Sequence, residues 1–427
     1  MMKLVRDQKK TVGVYQSFSN AAVLREPMHW MLVFVFVSLL VGGNIFDKPM
    51  LAIILIVYLP LAFVNLHQLA GLFFKSFSMQ MFWLLFVTSY FWSIVQKVTI
   101  DIIMTQSAFI ILAIFISLSY KKEGFAKPLR TASMLVLGLV TLYCLVFPGA
   151  SFSAVGLTAF YPHKNSLGVV VALCVLVLFY VPGRTKIHVG LGLLAAGLTL
   201  ASQSKTSINL LVICSVILPL AGLWAKNFYS DSHRLMMTDI VRSALYSLVL
   251  LSLILMVMFR DELLGLLWAY LPKSALTGRG TLWLVVIQQI RDTHSLLGIG
   301  PGVFWHADGA SEIAQTTLFQ WDPNWVQHMV SADGSYIDLV ASIGVLGLAL
   351  FLLTVVDLYR RLFRHWNQPD SQLIFVLVTF ILLHAITEST ILYSTNILWL
   401  MYLLCYFRVA GYAATNPTPT LWQRLWG

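Results

Sequence analysis

Arg279 stands between two glycines in "SALTGRGTLW" (274–283), within a chain that is otherwise mostly apolar. A guanidinium is always charged, and its planar fork of donors matches carboxylate or phosphate oxygens two at a time. Flanking glycines let the backbone approach a bulky ligand. Other cations stand in similarly apolar surroundings: Lys164 in "FYPHKNSLG" (160–168), Lys205 in "ASQSKTS" (201–207), Arg260 and Arg291. His163 and Asn165 flank Lys164, and "HAITESTILYS" (384–394) carries Glu388. Cations sheltered from water stabilise developing negative charge, and a carboxylate or imidazole beside them can take a proton from a hydroxyl. Each residue also has a plainer reading. Arg279 and Arg260 can snorkel to lipid headgroups, and His163 with Tyr161 can seek the membrane interface.

The elements that must position these groups follow from composition. Of 427 residues, 59% are hydrophobic and 11% charged, and the mean hydropathy is +0.81. Soluble domains carry about a quarter charged residues, so a soluble globular class is excluded and a polytopic membrane protein is indicated. The net charge of +10 does not call for nucleic acid as a partner, because cytoplasmic loops of membrane proteins are enriched in Lys and Arg.

Apolar runs predict about twelve transmembrane helices, near 29–46, 49–66, 79–96, 102–119, 131–148, 165–182, 187–202, 206–224, 240–259, 336–356, 371–388 and 393–411. The opening "MMKLVRDQKK" has no cleavable apolar segment behind it and reads as part of a cytoplasmic tail, residues 1–28. With that tail inside, 20 of the 28 Lys and Arg fall inside and 8 outside, the asymmetry expected of this orientation. Helices 1–9 then occupy 29–259, a large outer loop 260–335, helices 10–12 residues 336–411, and a second cytoplasmic tail 412–427. Lys48 and Lys97 are expected in tight turns beside Asp47 and Asp101. The remaining polar clusters project to the outer face, where ionisable groups at membrane depth are costly and mark cavities or function. Cys144, Cys174, Cys214 and Cys405 all lie in spans without CxxC spacing and read as small packing residues.

The outer loop opens with "LLGLLWAYLP", a candidate interfacial segment with Trp268 and Tyr270 at headgroup level. A helix is predicted from about Gly278 to Thr293, capped by Thr277, with Leu282, Val285, Val286 and Ile290 on one face. "GIGPG" (298–302) forces a turn and lacks the Lys-Ser/Thr of a phosphate-binding P-loop. Phe304, Trp305, Phe319, Trp321 and Trp325 can stack on sugar faces or anchor the interface.

"HKNSLG", "SQSKTS", "TGRGTLW", "LLGIGPGVFW", "DGSYIDLVASIGVLG" and "TEST", in this order and at these intervals, resemble the O-antigen ligase and Wzy-type polysaccharide polymerase superfamily, above all its exopolysaccharide polymerase branch. The likeness runs from about residue 155 to 400, and the first five spans are compatible with it. It implies an all-α, GT-C-like membrane fold with a large periplasmic loop between the ninth and tenth helices, in a bacterial inner membrane. It implies a glycosyltransferase whose donor is an undecaprenyl-diphosphate-linked oligosaccharide, transferred with inversion to an acceptor hydroxyl. It implies no metal and no other cofactor. The acceptor is a second lipid-linked repeat in a polymerase and lipid A core in a ligase; membrane lipid, a chain-length regulator and a flippase are expected partners.

On this resemblance Arg279, Lys164, Lys205 and Arg291 are candidates to bind the pyrophosphate, with His163 binding phosphate or holding Asn165. The ligases carry a His-Asn pair where this chain has Asp333-Gly334, so the histidine is missing and the polymerase reading gains. Asp333 is the candidate general base and His328 the alternative. Glu388 is expected to pair with Lys205 or Arg279 and to give electrostatic support. A transporter or flippase of lipid-linked sugars is the rival class, but it would show internal repeats with broken helices in both halves. A purely structural membrane partner would need no lysines and glutamate at span edges.

Overall fold

The computed structural model describes residues 22–42, 66–119, 125–154, 156–228, 279–293, 296–305, 331–392 and 396–415. These residues are mostly helical. The long helices are α1 (Ala22–Val41), α2 (Leu66–Phe74), α3 (Phe77–Thr88), α4 (Gln96–Ser119), α5 (Ala126–Val146), α6 (Lys164–Tyr180), α7 (Lys186–Ser202), α8 (Lys205–Phe228), α9 (Arg279–Thr293), α10 (Ser335–Arg364), α11 (Ser371–Thr387) and α12 (Ile397–Thr415). A two-stranded hairpin, Phe152–Ser153 against Gly156–Leu157, leads into α6. The expected spans 49–66 and 240–259, the Asp47–Lys48 turn, Thr277 and the tails lie wholly or mainly outside the described residues.

Among the described residues, four helical stretches are long and apolar enough to cross a bilayer: Gln96–Leu118, Ala126–Val146, Lys205–Gly222 and Ser335–Arg364. Six shorter apolar helices accompany them there. The chain is therefore a mostly helical, multi-pass membrane protein. Helices α6, α11 and α12 are mostly buried and form the centre with α3 and α10, where Trp399, Tyr402, Phe351, Phe82 and Phe380 are fully buried and Arg408 of α12 pairs with Asp370 at 2.8 Å. The helix α5 turns Leu135, Leu139, Leu142 and Leu145 outward, a stripe at helical spacing that suits lipid contact. Cys174, Cys214 and Cys405 are buried, Cys144 is half-buried, and all four are free thiols.

The first helix begins at Ala22, inside the stretch 1–28 expected as a tail, and ends at Val41, not 46. Three further departures from the expected spans each have a visible reason. The third span was expected to run to residue 96 and the fourth to begin at 102. Instead α3 gives way to a 3-10 turn at Ser89–Phe91, and α4 already begins at Gln96. The break is held by the segment 296–300: the Trp92 indole N–H donates to the Leu297 carbonyl (3.1 Å) and the Ile94 amide to the Ile299 carbonyl (3.3 Å). Lys97 and Asp101 thus sit in the first turns of α4, not in a tight turn. The tenth span was expected to stop at 356, but α10 runs on to Arg364. Asp357 is paired there with Arg360 (3.0 Å) and Arg361 (2.9 Å) and accepts from Ser78 and Tyr406.

The third difference bears on the site. Helix α10 is broken at Ile343 and Gly344, the latter at φ 72°. The freed carbonyls of Ala341 and Ser342 accept from the amides of Ile299 (3.0 Å) and Gly300 (2.9 Å), and the Leu346 amide donates to the Leu296 carbonyl (3.2 Å). The "GIGPG" turn is thereby plugged into the helix break. A Cβ on Gly344 would meet the Leu296 carbonyl oxygen at 2.1 Å, and one on Gly298 would meet the Ser342 backbone at 2.5 Å. Irregular backbone at membrane depth is tolerated where protein covers it, as here.

Candidate active site at one end of the bundle

Arg279 is the first residue of α9, close to the expected start. Its Nη2 donates to Glu388 Oε1 at 2.9 Å, and its Nε lies 3.4 Å from Asp333 Oδ2. Of the two partners proposed for Glu388, the structure selects Arg279. One turn further along α9, the Trp283 indole N–H donates to the Ala332 carbonyl at 2.8 Å. Both side chains therefore stitch α9 to segment 331–334 from one helix face. The indole lies against Gly334, where a Cβ would sit 2.9 Å from Trp283 Nε1.

Asp333 occupies the left-handed region at φ 49°, and its side chain is 39% exposed against 19% for Arg279 and 24% for Glu388. The next residues form the N-terminus of α10, and "TEST" folds back onto it. Buried Ser335 donates to the Glu388 carbonyl (2.9 Å) and accepts from the amides of Thr390 (2.7 Å) and Ile391 (3.1 Å). Tyr336 donates to the Leu382 carbonyl on α11 at 2.8 Å. Three sequence-distant segments thus converge on one guanidinium. Because one cation meets two carboxylates, the cluster carries a net negative charge when both are ionised.

Burial pushes the Glu388 carboxyl above its ordinary range; Arg279 pulls it back and the Asp333 charge raises it again. The folded state then holds a proton on Glu388 more tightly than the unfolded chain does. Stability from this group is therefore present at low pH and lost as pH rises through the raised folded value, leaving a cost at neutrality. Glu388→Gln is expected to raise the thermal midpoint at pH 7 by about 1–2 °C, measured in lipid nanodiscs. A fall of similar size would show that ion pairing outweighs the cost of burial.

Lys164 and Lys205 are the first residues of α6 and α8. His163 is the N-cap of α6; its Nδ1 accepts from the Asn165 backbone amide at 3.2 Å. Ser204 and Ser207 pack on Gly168, where a Cβ would meet Ser204 at 2.5 Å, so the starts of α6 and α8 lie side by side. Helices α8 and α11 run antiparallel, because Gly222 lies opposite Trp366 and the Cys214 thiol reaches the Val376 carbonyl. Continuing that register at about 1.5 Å per residue brings exposed Lys205 to the end of the bundle where Glu388 lies. The backbone of Arg291 lies, by the same rise, about 18 Å along α9 from that of Arg279. His328, Arg260, Trp268, Tyr270, Phe319, Trp321 and Trp325 lie outside the described residues.

Sequence reasoning passed over Asp338. It stands one turn into α10 and accepts from the Trp305 indole (2.8 Å), the Ala332 amide (2.9 Å) and Ser389. The available signal was an acid set in the apolar run "SYIDLVASIG". Among the described residues, no group of three or more His, Cys, Asp or Glu is placed to hold a metal ion.

Fold and site together define a multi-pass helical membrane protein with an ion-paired polar cluster at one end of its bundle. The chain is similar to the exopolysaccharide production protein ExoQ of Rhizobium meliloti (strain 1021), with 26% identity over 274 residues, 60% of this chain and 59% of that protein. The match thus spans less than two thirds of the relative's length. No protein-family model matches the chain.

Proposed function

We propose that this protein is a membrane glycosyltransferase that joins undecaprenyl-diphosphate-linked oligosaccharide repeat units into a lengthening polysaccharide. Transfer occurs at the periplasmic face of a bacterial inner membrane, within the loop 260–335 and the adjoining helix ends. The observation that carries the reading is the meeting of Arg279, Asp333 and Glu388 at the bundle end shared with Lys205. The similarity to a protein named for exopolysaccharide production supports the same class.

In this reading Asp333, the most exposed of the three, takes the proton of an acceptor sugar hydroxyl. The acceptor oxygen bonds to the anomeric carbon as the bond from that carbon to the diphosphate oxygen breaks, with inversion. The leaving diphosphate keeps the electron pair, and Asp333 later loses its proton to solvent. Stabilising that diphosphate falls to Lys164 and Lys205, whose helix N-termini add their own positive ends. The Arg279 fork holds the two carboxylates in place and presents its remaining Nη1 toward the phosphate.

Purified protein given a single lipid-linked repeat unit should produce a ladder of longer lipid-linked products. If no ladder forms until lipid A core is supplied, the enzyme is an O-antigen ligase. If lipid-linked sugar only crosses the membrane, it is a flippase.

A further inference from the structure

Asp338 joins Trp305, Ala332 and Ser389 without touching Arg279. Its Oδ1 accepts from the Ala332 amide (2.9 Å) and the Trp305 indole (2.8 Å), and its Oδ2 accepts from the Ser389 hydroxyl. Ser389 Oγ in turn accepts from the Gly334 amide at 3.2 Å. The residues on both sides of Asp333 are therefore pinned, one directly and one through Ser389. Asp333 itself sits at φ 49°, a conformation with a cost for a residue bearing a Cβ, which persists only where its surroundings over-determine it. Ser389 is also the neighbour of Glu388, so the same carboxylate anchors the second partner of Arg279. Through Trp305, Asp338 ties in the segment whose "GIGPG" turn plugs the break in α10. A carboxylate in the first turn of a helix is favoured by the helix dipole, and charge-assisted hydrogen bonds are among the stronger ones.

We infer that Asp338 is a positioning residue for glycosyl transfer: it holds Asp333 and Glu388 at the spacing that Arg279 bridges. This role rests on the reaction proposed above. Asp338 does not itself meet the acceptor, since its two oxygens are engaged by three protein donors.

The test uses the full chain in nanodiscs and the host's own lipid-linked repeat unit as substrate. Asp338→Ala should lower kcat about 100-fold while the KM for the lipid-linked unit changes less than about 3-fold. Asp338→Asn keeps the acceptor for Ala332 and Trp305 and should recover most of the loss. Ser389→Ala, which removes only the bridge to Gly334, should cost about 10-fold in kcat and serves if Asp338→Ala does not fold. Hydrogen exchange at the Ala332 and Gly334 amides should accelerate at least about 10-fold in Asp338→Ala, with α10 beyond the break unchanged. A wild-type ladder with unchanged kcat in both Asp338→Ala and Ser389→Ala overturns the positioning role alone. Equal losses in kcat and donor binding, with exchange rising throughout α10, make Asp338 a merely structural residue and overturn it too. A wild-type protein that makes no ladder overturns the reaction and this role with it.

Discussion

Arg279→Lys is expected to abolish polymer formation almost completely, by at least about 100-fold, while the protein still inserts and accumulates normally. The expected loss follows from geometry. Nε and Nη2 are fixed in one rigid plane, and each faces its own carboxylate. An ammonium is a single point charge on a flexible stem and cannot hold Asp333 and Glu388 apart in that way. Charge alone is therefore insufficient, and lysine should do little better than alanine. Arg279→Ala should be the more damaging for the site, because it leaves two carboxylates facing each other without a cation. Product is read as polymer from cells lacking the native copy, and accumulation by immunoblot of the membrane fraction. Wild-type levels of polymer from either variant would return Arg279 to the role of a headgroup-seeking arginine.

Asp333→Asn is expected to lower kcat by about 10²–10⁴ with donor affinity unchanged, the range for removal of a general base. The substitution is a clean one here. Asparagine tolerates the left-handed backbone that Asp333 adopts, so the turn and the flanking hydrogen bonds to Ala332 and Gly334 should persist. What is lost is the charged form of the carboxyl and its ability to accept the acceptor proton. His328→Ala is the companion variant and should turn over near the wild-type rate. If His328→Ala loses activity and Asp333→Asn keeps it, the base is the histidine. Glu388→Gln separates the remaining possibility. It keeps an acceptor for Arg279 Nη2, so a loss as deep as that of Asp333→Asn would move the base to Glu388.

Much of the helical frame was readable residue by residue, because burying an apolar run in lipid depends only on its own length and composition. The start of α9 near Gly278 was legible for the same local reason. The break in α10 was not. "ASIGVLGLAL" reads as uninterrupted apolar helix, and only the arrival of 296–300 supplies partners for the carbonyls freed at Ile343–Gly344. The early end of α3 has the same origin, since Trp92 and Ile94 bond to that same incoming segment.

The sequence by itself determined the solvent this protein lives in and the kinds of side chain its polar clusters offer. Hydropathy and charge asymmetry are sums over residues and need no knowledge of contacts. Tertiary structure decided which of those groups meet. Glu388 could have paired with Lys205 or Arg279, and it bonds Arg279, 109 residues away. Arg291 has the right chemistry but lies well along α9, and Asp338, never singled out, binds three donors from separate segments. A charge's role depends on distances of a few ångströms between residues far apart in the chain, because Coulomb attraction and hydrogen bonding fall away beyond that range. Those distances are set by how the helices pack, and packing is a property of all of them together.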